Sequence, residues 1–509
     1  MDISLILTAL FFCVLFLIAL WGMHKTKTLN DFFLGGETLG PWILAISYGT
    51  AYFSAVVFIG FAGQFGWLRS FDALWIGVFN ALCGAVLAWL VLGKQTRKMT
   101  RRLGAMTMPE FFSARYNTNG MKVVSALIIF LFLLPYSASV FAGLTYLFHN
   151  VFGLEMWIVL TVITFVTGEY IICGGYKAVA RIDFLQGAIM FVGAILMVIF
   201  VVHYFGGFQE AISKSAKFYQ ERLAEGSANP GNPLGVKTIP GLIFWSVVFM
   251  TSFAPWALPQ MVHKFYALKD EKQIVRGAIV CFAFSLVIGC SAYFVGALSH
   301  QLPSEIIDKA VVSGKVDTNA LVPLIFLQAL PKPLLALILL LVLSASMSTL
   351  SGLVLVASSA VSIDLYKGYY APNRSDKHYL RIMRTLSLLF IVLSYVITLC
   401  NPSWIVPLMS LSWGAVAGSF LSPYLFGLFW RRTTKLGAYA GMWSGLIIVN
   451  GIYWGLYFKC GSGVAKAYTP VAASIAMVVP FFIVPIVSLM TKPVAPETVS
   501  LAFGDNENE

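Results

Sequence analysis

The chain has 509 residues, of which 59% are hydrophobic and only 11% are charged. Soluble globular proteins carry roughly 25% charged residues, so this composition excludes an ordinary water-soluble protein. The formal net charge of +12 does not indicate a nucleic-acid partner, because the basic residues follow the pattern of membrane loops.

Apolar runs of about 20 residues, the length that crosses a ~30 Å hydrocarbon layer as a helix, recur along the whole chain. A membrane β-barrel would instead show strands of ~10 residues with alternating polarity. The sequence therefore predicts an all-α integral membrane protein with about thirteen transmembrane helices. These spans lie near residues 3–22, 41–67, 72–93, 123–148, 157–175, 182–206, 241–262, 277–299, 334–363, 385–400, 404–430, 436–458 and 469–490.

All 34 Lys and Arg residues fall outside these predicted spans. Alternate loops place 24 of them on one side of the membrane and 10 on the other, and seven of the 10 belong to two long loops. Because short cytoplasmic loops are enriched in Lys and Arg, we expect the N-terminus outside and the C-terminus inside.

The two ends of the chain differ in character. Residues 1–28 hold one extra helix, which we interpret as retained and not as a signal peptide, because its leader "MDIS" has no positive charge. Residues 491–509 are polar and acidic, and this composition predicts a disordered cytoplasmic tail.

Two spans interrupt their own helical pattern. The second carries Gly49, Thr50 and Ser54 at mid-depth, and the seventh carries Pro255 and Pro259. Proline removes a backbone donor and clashes with the preceding turn, so the helix should unwind or kink. Interruptions five spans apart indicate an inverted-repeat transporter with its site between the repeats. Simple bends, which are common in membrane helices, are the alternative.

The ninth span, which contains "SASMSTLSG", carries hydroxyl side chains at membrane depth. Ala345, Ser348 and Thr349 share one helix face. A helical hydroxyl returns its hydrogen to a carbonyl one turn earlier, which leaves lone pairs for a cation. The ninth span would supply three oxygens, the Ala345 carbonyl and two hydroxyls, and backbone carbonyls near Thr50 and Phe53 would supply two more. Five oxygens are enough to hold Na⁺ weakly. Close helix packing is the alternative, and it is favoured for three serines on other faces: Ser344, Ser346 and Ser351.

Few other ionisable residues or motifs indicate a function. Glu169 is the one acidic residue that lies inside a predicted span away from its first two positions, where it would either hydrogen-bond as a neutral acid or carry a proton. Asp183 opens the sixth span and would be an ordinary helix N-cap. The sequence has no HExxH and no GxSxG motif, so we predict neither an enzyme nor an organic cofactor.

Four stretches resemble the sodium:solute symporter family: "FFLGGETLGPW", "ISYGTAYFSAVVFIG", "GGYKAVARIDFLQG" and "SMSTLSGLVLVASSAVSIDLYKG". The resemblance implies a leucine-transporter-type fold built from two inverted repeats of five helices. The transport core would span residues 29–435, with one repeat at about 41–206 and the other at about 241–430. Two further helices would occupy residues 436–490.

The resemblance also implies a sodium site and a location in the plasma (inner) membrane. Its ligands would be the carbonyls of Thr50, Phe53 and Ala345 and the hydroxyls of Ser348 and Thr349. A nearby carboxylate, Asp183, would act on the ion electrostatically, which replaces the N-cap interpretation. Na⁺ is then a transported coupling ion, and the expected partners are the lipid bilayer and a small solute, without nucleic acid or an obligate protein partner.

The solute is less well specified. Five residues are candidates for the solute cavity, although each is also an ordinary packing residue: Tyr52, Ser54, Val56, Tyr136 and Trp256. Sugar carriers of the family have an acid and an amide where this chain has Val56 and Val57, so sugar is disfavoured. Proline carriers of the family have other residues at the positions of Tyr52, Thr251 and Pro255, so proline is disfavoured as the solute.

The stretch "AYFSAVVFIG" is more similar to the carboxylate and vitamin carriers of the family. This resemblance implies a monocarboxylate or a pantothenate-like acid as the solute. Proline or another neutral amino acid is the alternative. A channel-like or sensor protein without coupling to sodium is the alternative from another functional class.

Overall fold

The computed structural model describes residues 6–14, 17, 40–173, 176–228, 232, 234–236, 239–268, 273–400 and 403–504. It also describes the side chains of these residues, except those of 170–173 and 176–181. Half of the predicted first span, the GGYKAVARID segment in part, and the last five residues lie outside the described residues. Residues 6–14 are helical.

The first half of the described chain is helical from Pro41 onward. Its α-helices are α1 (Pro41–Tyr52), α2 (Ala62–Arg69), α3 (Leu74–Phe79), α4 (Ala88–Leu103), α5 (Met108–Tyr116), α6 (Asn119–Phe152), α7 (Met156–Cys173), α8 (Tyr176–Tyr204) and α9 (Phe208–Ala228). Wider π-helical turns occupy Val56–Phe61 and Asn80–Leu87, and a 3₁₀ turn occupies Ser70–Ala73.

The second half contains a short hairpin among its helices. Its α-helices are α10 (Gly241–Phe253), α11 (Pro259–Tyr266), α12 (Ile274–Ala297), α13 (Ser304–Ile307), α14 (Thr318–Ala329), α15 (Lys332–Ser359), α16 (Asp376–Cys400), α17 (Ile405–Phe429), α18 (Lys435–Cys460), α19 (Ser462–Ala467), α20 (Thr469–Val478), α21 (Pro480–Met490) and α22 (Pro496–Phe503). The strands β1 (Val311–Val312) and β2 (Lys315–Val316) pair antiparallel. Shorter elements are the 3₁₀ turns Ala254–Trp256, Leu298–Gln301 and Asp308–Ala310 and the π-helical segment Ala360–Tyr370.

Within the described residues, nine helical segments are long and apolar enough to cross a membrane. The prediction of an all-helical, multi-pass membrane protein is therefore confirmed.

Both predicted helix interruptions are present. In the second span, α1 ends at Tyr52 and Phe53 has an extended backbone, with φ −106° and ψ 132°. In the seventh span, α10 passes through a 3₁₀ turn and ends, and α11 begins again at Pro259. Proline suits the first helical position, where its missing N–H would have no partner in the helix.

The two ends of the helical bundle differ in charge. We call the end that carries residues 94–122, 374–384 and 431–435 the basic end. The opposite end carries Arg69, which donates to the Ile239 carbonyl at 2.7 Å, and Lys466. The π-helical turn after Ser54 and α2 lead from the middle of the bundle to the opposite end.

The predicted disordered tail is wrong for residues Pro496–Phe503, which form α22 at the basic end. Arg102 donates to the Phe503 carbonyl at 3.0 Å. The guanidinium carbons of Arg115 and Arg431 lie 5.2 and 5.0 Å from the centre of the Phe503 ring. These cation–π contacts, together with burial of Ala502, hold a segment whose composition alone indicates disorder.

Close approaches of neighbouring helices surround the first break, and they depend on glycine. A Cβ on Gly187 of α8 would lie 3.1 Å from the Thr50 methyl group and closer still to Ile46. A Cβ on Gly143 of α6 would lie 2.9 Å from the Ala55 Cβ. Small residues let these helices pack directly against the interrupted segment, so the break lies in a tightly packed interior.

Candidate ion-binding and solute-binding site

The first break takes part of its hydrogen bonding from α15. The first N–H groups of a helix have no partner within the helix. Here the Ala55 N–H donates to the Ser346 hydroxyl oxygen at 2.9 Å, and the Ser346 hydroxyl donates to the Val342 carbonyl at 2.8 Å. Ser346 therefore caps the second half of the broken helix.

The sequence favours a packing role for Ser346 and does not predict this contact. Hydroxyl residues lie on several faces of α15, so their positions do not indicate which one would accept from Ala55. The signal available in the sequence was the predicted break itself, because a buried helix start needs an external acceptor.

A cluster of oxygens lies beside the same break. The Thr349 hydroxyl oxygen is 3.2 Å from the Ala51 carbonyl oxygen, 3.5 Å from that of Phe53 and 3.0 Å from that of Ala345. The Ser348 hydroxyl donates to the Thr50 hydroxyl at 2.9 Å. Hydroxyls of α15 thus meet the end of α1 directly.

This cluster contains all five residues of the predicted ion site, with two differences in the contributing atoms. Thr50 contributes its hydroxyl, and Ala51 adds a carbonyl that the sequence analysis did not include. Thr50 and Thr349 are fully buried, and Ser348 is 1% exposed. A buried group of neutral oxygens suits a monovalent cation that must also be released.

Asp183 lies two turns inside α8, so the N-cap interpretation of this residue is wrong. Its carboxylate is fully buried. It accepts from the Ser47 hydroxyl and, at 3.3 Å, from Lys264 Nζ. Lys264 also donates to the Ser47 hydroxyl oxygen at 2.6 Å. Because the Thr50 hydroxyl donates to the Ser47 carbonyl at 3.2 Å, this ion pair is connected to the oxygen cluster.

Lys264 is the second residue that the sequence analysis missed. The sequence places it in a loop between predicted spans, whereas in the structure it lies in α11 and is 2% exposed. A buried ammonium needs a carboxylate partner, and Asp183 provides it from another helix. The Asp183 charge is therefore compensated by Lys264.

Two of the solute-cavity candidates, both aromatic, donate hydrogen bonds to backbone carbonyls of other segments. The Tyr52 hydroxyl donates to the Thr251 carbonyl at 2.6 Å, and the Trp256 indole N–H donates to the Cys83 carbonyl at 2.9 Å. A Cβ on Gly84 would lie 2.1 Å from the Tyr52 hydroxyl oxygen. Both aromatic side chains therefore contact the π-helical segment Asn80–Leu87.

The other three candidates are packed around the break. Ser54 and Val56 are at most 1% exposed, and the Val56 N–H donates to the Ser54 hydroxyl oxygen at 3.3 Å. The Tyr136 ring stands perpendicular to that of Trp413, with 5.5 Å between the ring centres. Since all five candidates are buried, a solute would reach them only after the surrounding helices separate.

Glu169 is exposed on α7, and its two interpretations, hydrogen bonding and proton transfer, stay predictions.

The sequence model of the sodium:solute symporter family matches residues 32–445. The chain is 29% identical to the osmoregulated proline transporter OpuE of Bacillus subtilis, over 99% of this chain and 98% of the relative. It is 30% identical to a sodium/proline symporter of Haemophilus influenzae, over 88% of each chain.

A solved structure of a Na⁺-coupled sialic acid symporter in a substrate-bound, outward-open state superimposes with a TM-score of 0.77. The match covers 97% of this chain and 99% of that one, at 18% identity. At this level of identity the match shows a shared fold.

Proposed function

We propose that this chain, which belongs to the sodium:solute symporter family, imports proline or a neutral amino acid of similar size together with Na⁺. The relatives that match it over 88% and 99% of its length are named as proline transporters. This whole-chain similarity supports the amino-acid alternative over the monocarboxylate that the sequence analysis favoured from residues near the second span.

The observation that carries the proposal is the contact between the Thr349 hydroxyl and the carbonyls of the first break. Na⁺ bound among these oxygens would join the end of α1 to α15. Such a link would favour one arrangement of the two helices, so ion binding would shift the conformational equilibrium toward the state that accepts solute. Release of the ion would loosen the same link.

The proposal includes the finer architecture that the family resemblance implies. About thirteen helices would cross the membrane, ten of them in two inverted repeats, with the basic end in the cytoplasm. The two interrupted helices would then occupy corresponding positions of the two repeats. One group of helices would rock against the other around the site between them.

The energy available from one Na⁺ is sufficient for accumulation. A charge that moves through ~100 mV gains about 2.3 kcal/mol. A tenfold sodium gradient adds about 1.4 kcal/mol. Together they support accumulation of a zwitterion by roughly 500-fold. A monoanion that enters with one Na⁺ moves no net charge and loses the voltage contribution, so the two solute classes differ in their response to membrane potential.

The test is uptake of radiolabelled L-proline into proteoliposomes that contain the purified full-length chain. An inward Na⁺ gradient should drive accumulation above equilibrium, and an inside-negative potassium diffusion potential should increase it. A K⁺ gradient without Na⁺ serves as the control for uncoupled entry.

Three outcomes would contradict the proposal in different ways. Accumulation of a short monocarboxylate without accumulation of proline would restore the original solute prediction. Entry that only equilibrates, with or without Na⁺, would indicate the channel-like alternative. Uptake that follows a proton gradient in the absence of Na⁺ would assign the coupling to protons.

A further inference from the structure

A second site is suggested by a cavity of about 240 Å³ at the opposite end of the bundle. It lies between α2, the beginnings of α10 and α17, and α19 with the first turn of α20. Gln64, Ile243, Val406 and Lys466 are among its lining residues. Its volume lies just below the range of about 300–1,000 Å³ that holds drug-sized ligands, so it suits a smaller solute.

Lys466 is the charged residue of this cavity, and no carboxylate lines it. Its ammonium nitrogen lies 3.7 Å from the centre of the Trp404 ring. Partial burial lowers the pKa of Lys466. Within the described part of the chain no carboxylate forms an ion pair with it, so an aromatic ring is the contact that partly balances its charge. The site therefore favours a small anionic group and disfavours a cation.

The cavity adjoins the broken helix, but tight packing closes the way between them. Val406 lines the cavity and also lies beside Gly60, where an added Cβ would be 3.5 Å from its methyl group. The same Cβ would be 2.6 Å from Ile405. The start of α17 thus seals the helix one turn beyond Val56. A solute bound in the cavity would lie next to these packed residues.

We propose that this cavity binds the carboxylate of the incoming solute through Lys466 before the central site opens. The half-buried Gln64 amide lines the same cavity and supplies a second polar group. The identity of the solute rests on the proposed function, whereas binding at Lys466 needs only a small carboxylate. Binding of the carboxylate in this cavity would raise the occupancy of the central site at low external solute concentration, without changing the ion site.

The first test compares initial rates of L-proline uptake at saturating Na⁺. Lys466→Met should raise KM about fivefold, the factor that corresponds to an ion pair of about 1 kcal/mol, with Vmax retained. Lys466→Arg keeps the charge and should stay near the unsubstituted protein. The matched control is Lys459→Met, because Lys459 is an exposed lysine at the same end of the molecule.

An unchanged KM in Lys466→Met would overturn the proposal. An equal rise in Lys459→Met would also overturn it, because the effect would then be general attraction by surface charge.

The second test does not depend on transport. Because the Lys466 ammonium covers the Trp404 ring, a bound carboxylate should change tryptophan fluorescence of the detergent-solubilised protein. L-proline and acetate should produce the change, and L-prolinamide, which lacks a carboxylate, should not. The response should disappear in Trp404→Phe and in Lys466→Met.

These results separate the two proposals. A response to acetate in a protein that does not accumulate proline would support the cavity and contradict the proposed solute. Normal proline accumulation without any carboxylate response would contradict the cavity and leave the proposed function standing.

Discussion

The breaks after Tyr52 and after Trp256 interrupt helices five spans apart, yet they satisfy their backbone groups in different ways. At the first break the N–H of Ala55 and the carbonyls of Ala51 and Phe53 bond to hydroxyls of α15. At the second break the N–H groups of Ala257 and Leu258 both donate to the nearby Ala254 carbonyl, at 3.0 and 3.1 Å. The first break therefore bonds to a neighbouring helix through both its N–H and its carbonyl groups. At the second break these N–H groups are satisfied within the segment, and the Thr251 carbonyl accepts from the Tyr52 hydroxyl.

This difference assigns different roles to the two breaks. Proline has no N–H to satisfy and its φ is fixed, so Pro255 and Pro259 favour the second break whether or not α15 contacts it. The first break contains no proline. Its geometry depends on the side chains of α15, and a cation between the two helices would act on the same contacts. We therefore expect the first break to respond to Na⁺ and the second to act as a constant bend.

The largest expected effect is that of Thr349→Ala. The change removes the hydroxyl that contacts three carbonyl oxygens, and the loss of one charge-assisted contact costs about 1.5–3 kcal/mol. The Na⁺ concentration for half-maximal uptake should therefore rise about tenfold or more. Initial rates of solute uptake against Na⁺ concentration measure this shift, and Thr349→Ser, which keeps the hydroxyl, should largely restore the original value.

Ser358→Ala is the matched control for this change. Ser358 is a buried serine of the same helix, and its hydroxyl donates to the Leu355 carbonyl at 3.2 Å, away from the broken helix. Its removal should leave sodium activation unchanged. Equal sodium activation in Thr349→Ala and Ser358→Ala would show that the oxygen cluster is not the coupling site.

An intermediate effect is expected for Ser346→Ala. The Ala55 N–H would lose its acceptor in a buried position, which costs about 1–3 kcal/mol. The thermal midpoint of unfolding in saturating Na⁺ should fall, while half-activation by Na⁺ should shift less than in Thr349→Ala. Differential scanning fluorimetry of the detergent-solubilised protein measures the midpoint. A midpoint equal to that of Ser358→Ala would mean that the cap does not stabilise the break.

Local features explain what the sequence could predict. Pro255 and Pro259 disrupt their helix wherever it packs, and the spacing of Ala345, Ser348 and Thr349 places them on one face of any helix. The predicted breaks are therefore present, and these residues meet the end of α1 as expected.

Contacts between distant segments explain what the sequence could not predict. Ser346 is a cap only because Ala55 lies opposite it, and Lys264 is tolerated inside the bundle only because Asp183 of α8 reaches it. Likewise α22 is held by arginines from three separate segments around Phe503. None of these pairings follows from the period or the composition of either partner.

The smallest expected effect is that of Pro259→Ala, which tests the second half of the comparison. Alanine restores an N–H at the first position of α11 and frees the unfolded chain, and such changes cost about 0.4–1 kcal/mol. Because the Ala254 carbonyl still accepts from Ala257 and Leu258, the bend should persist. Half-activation by Na⁺ should stay within about twofold of the original, and the thermal midpoint should fall less than in Ser346→Ala. A tenfold shift in sodium activation would instead show that the second break also contributes to ion coupling, and the two breaks would then act as one unit.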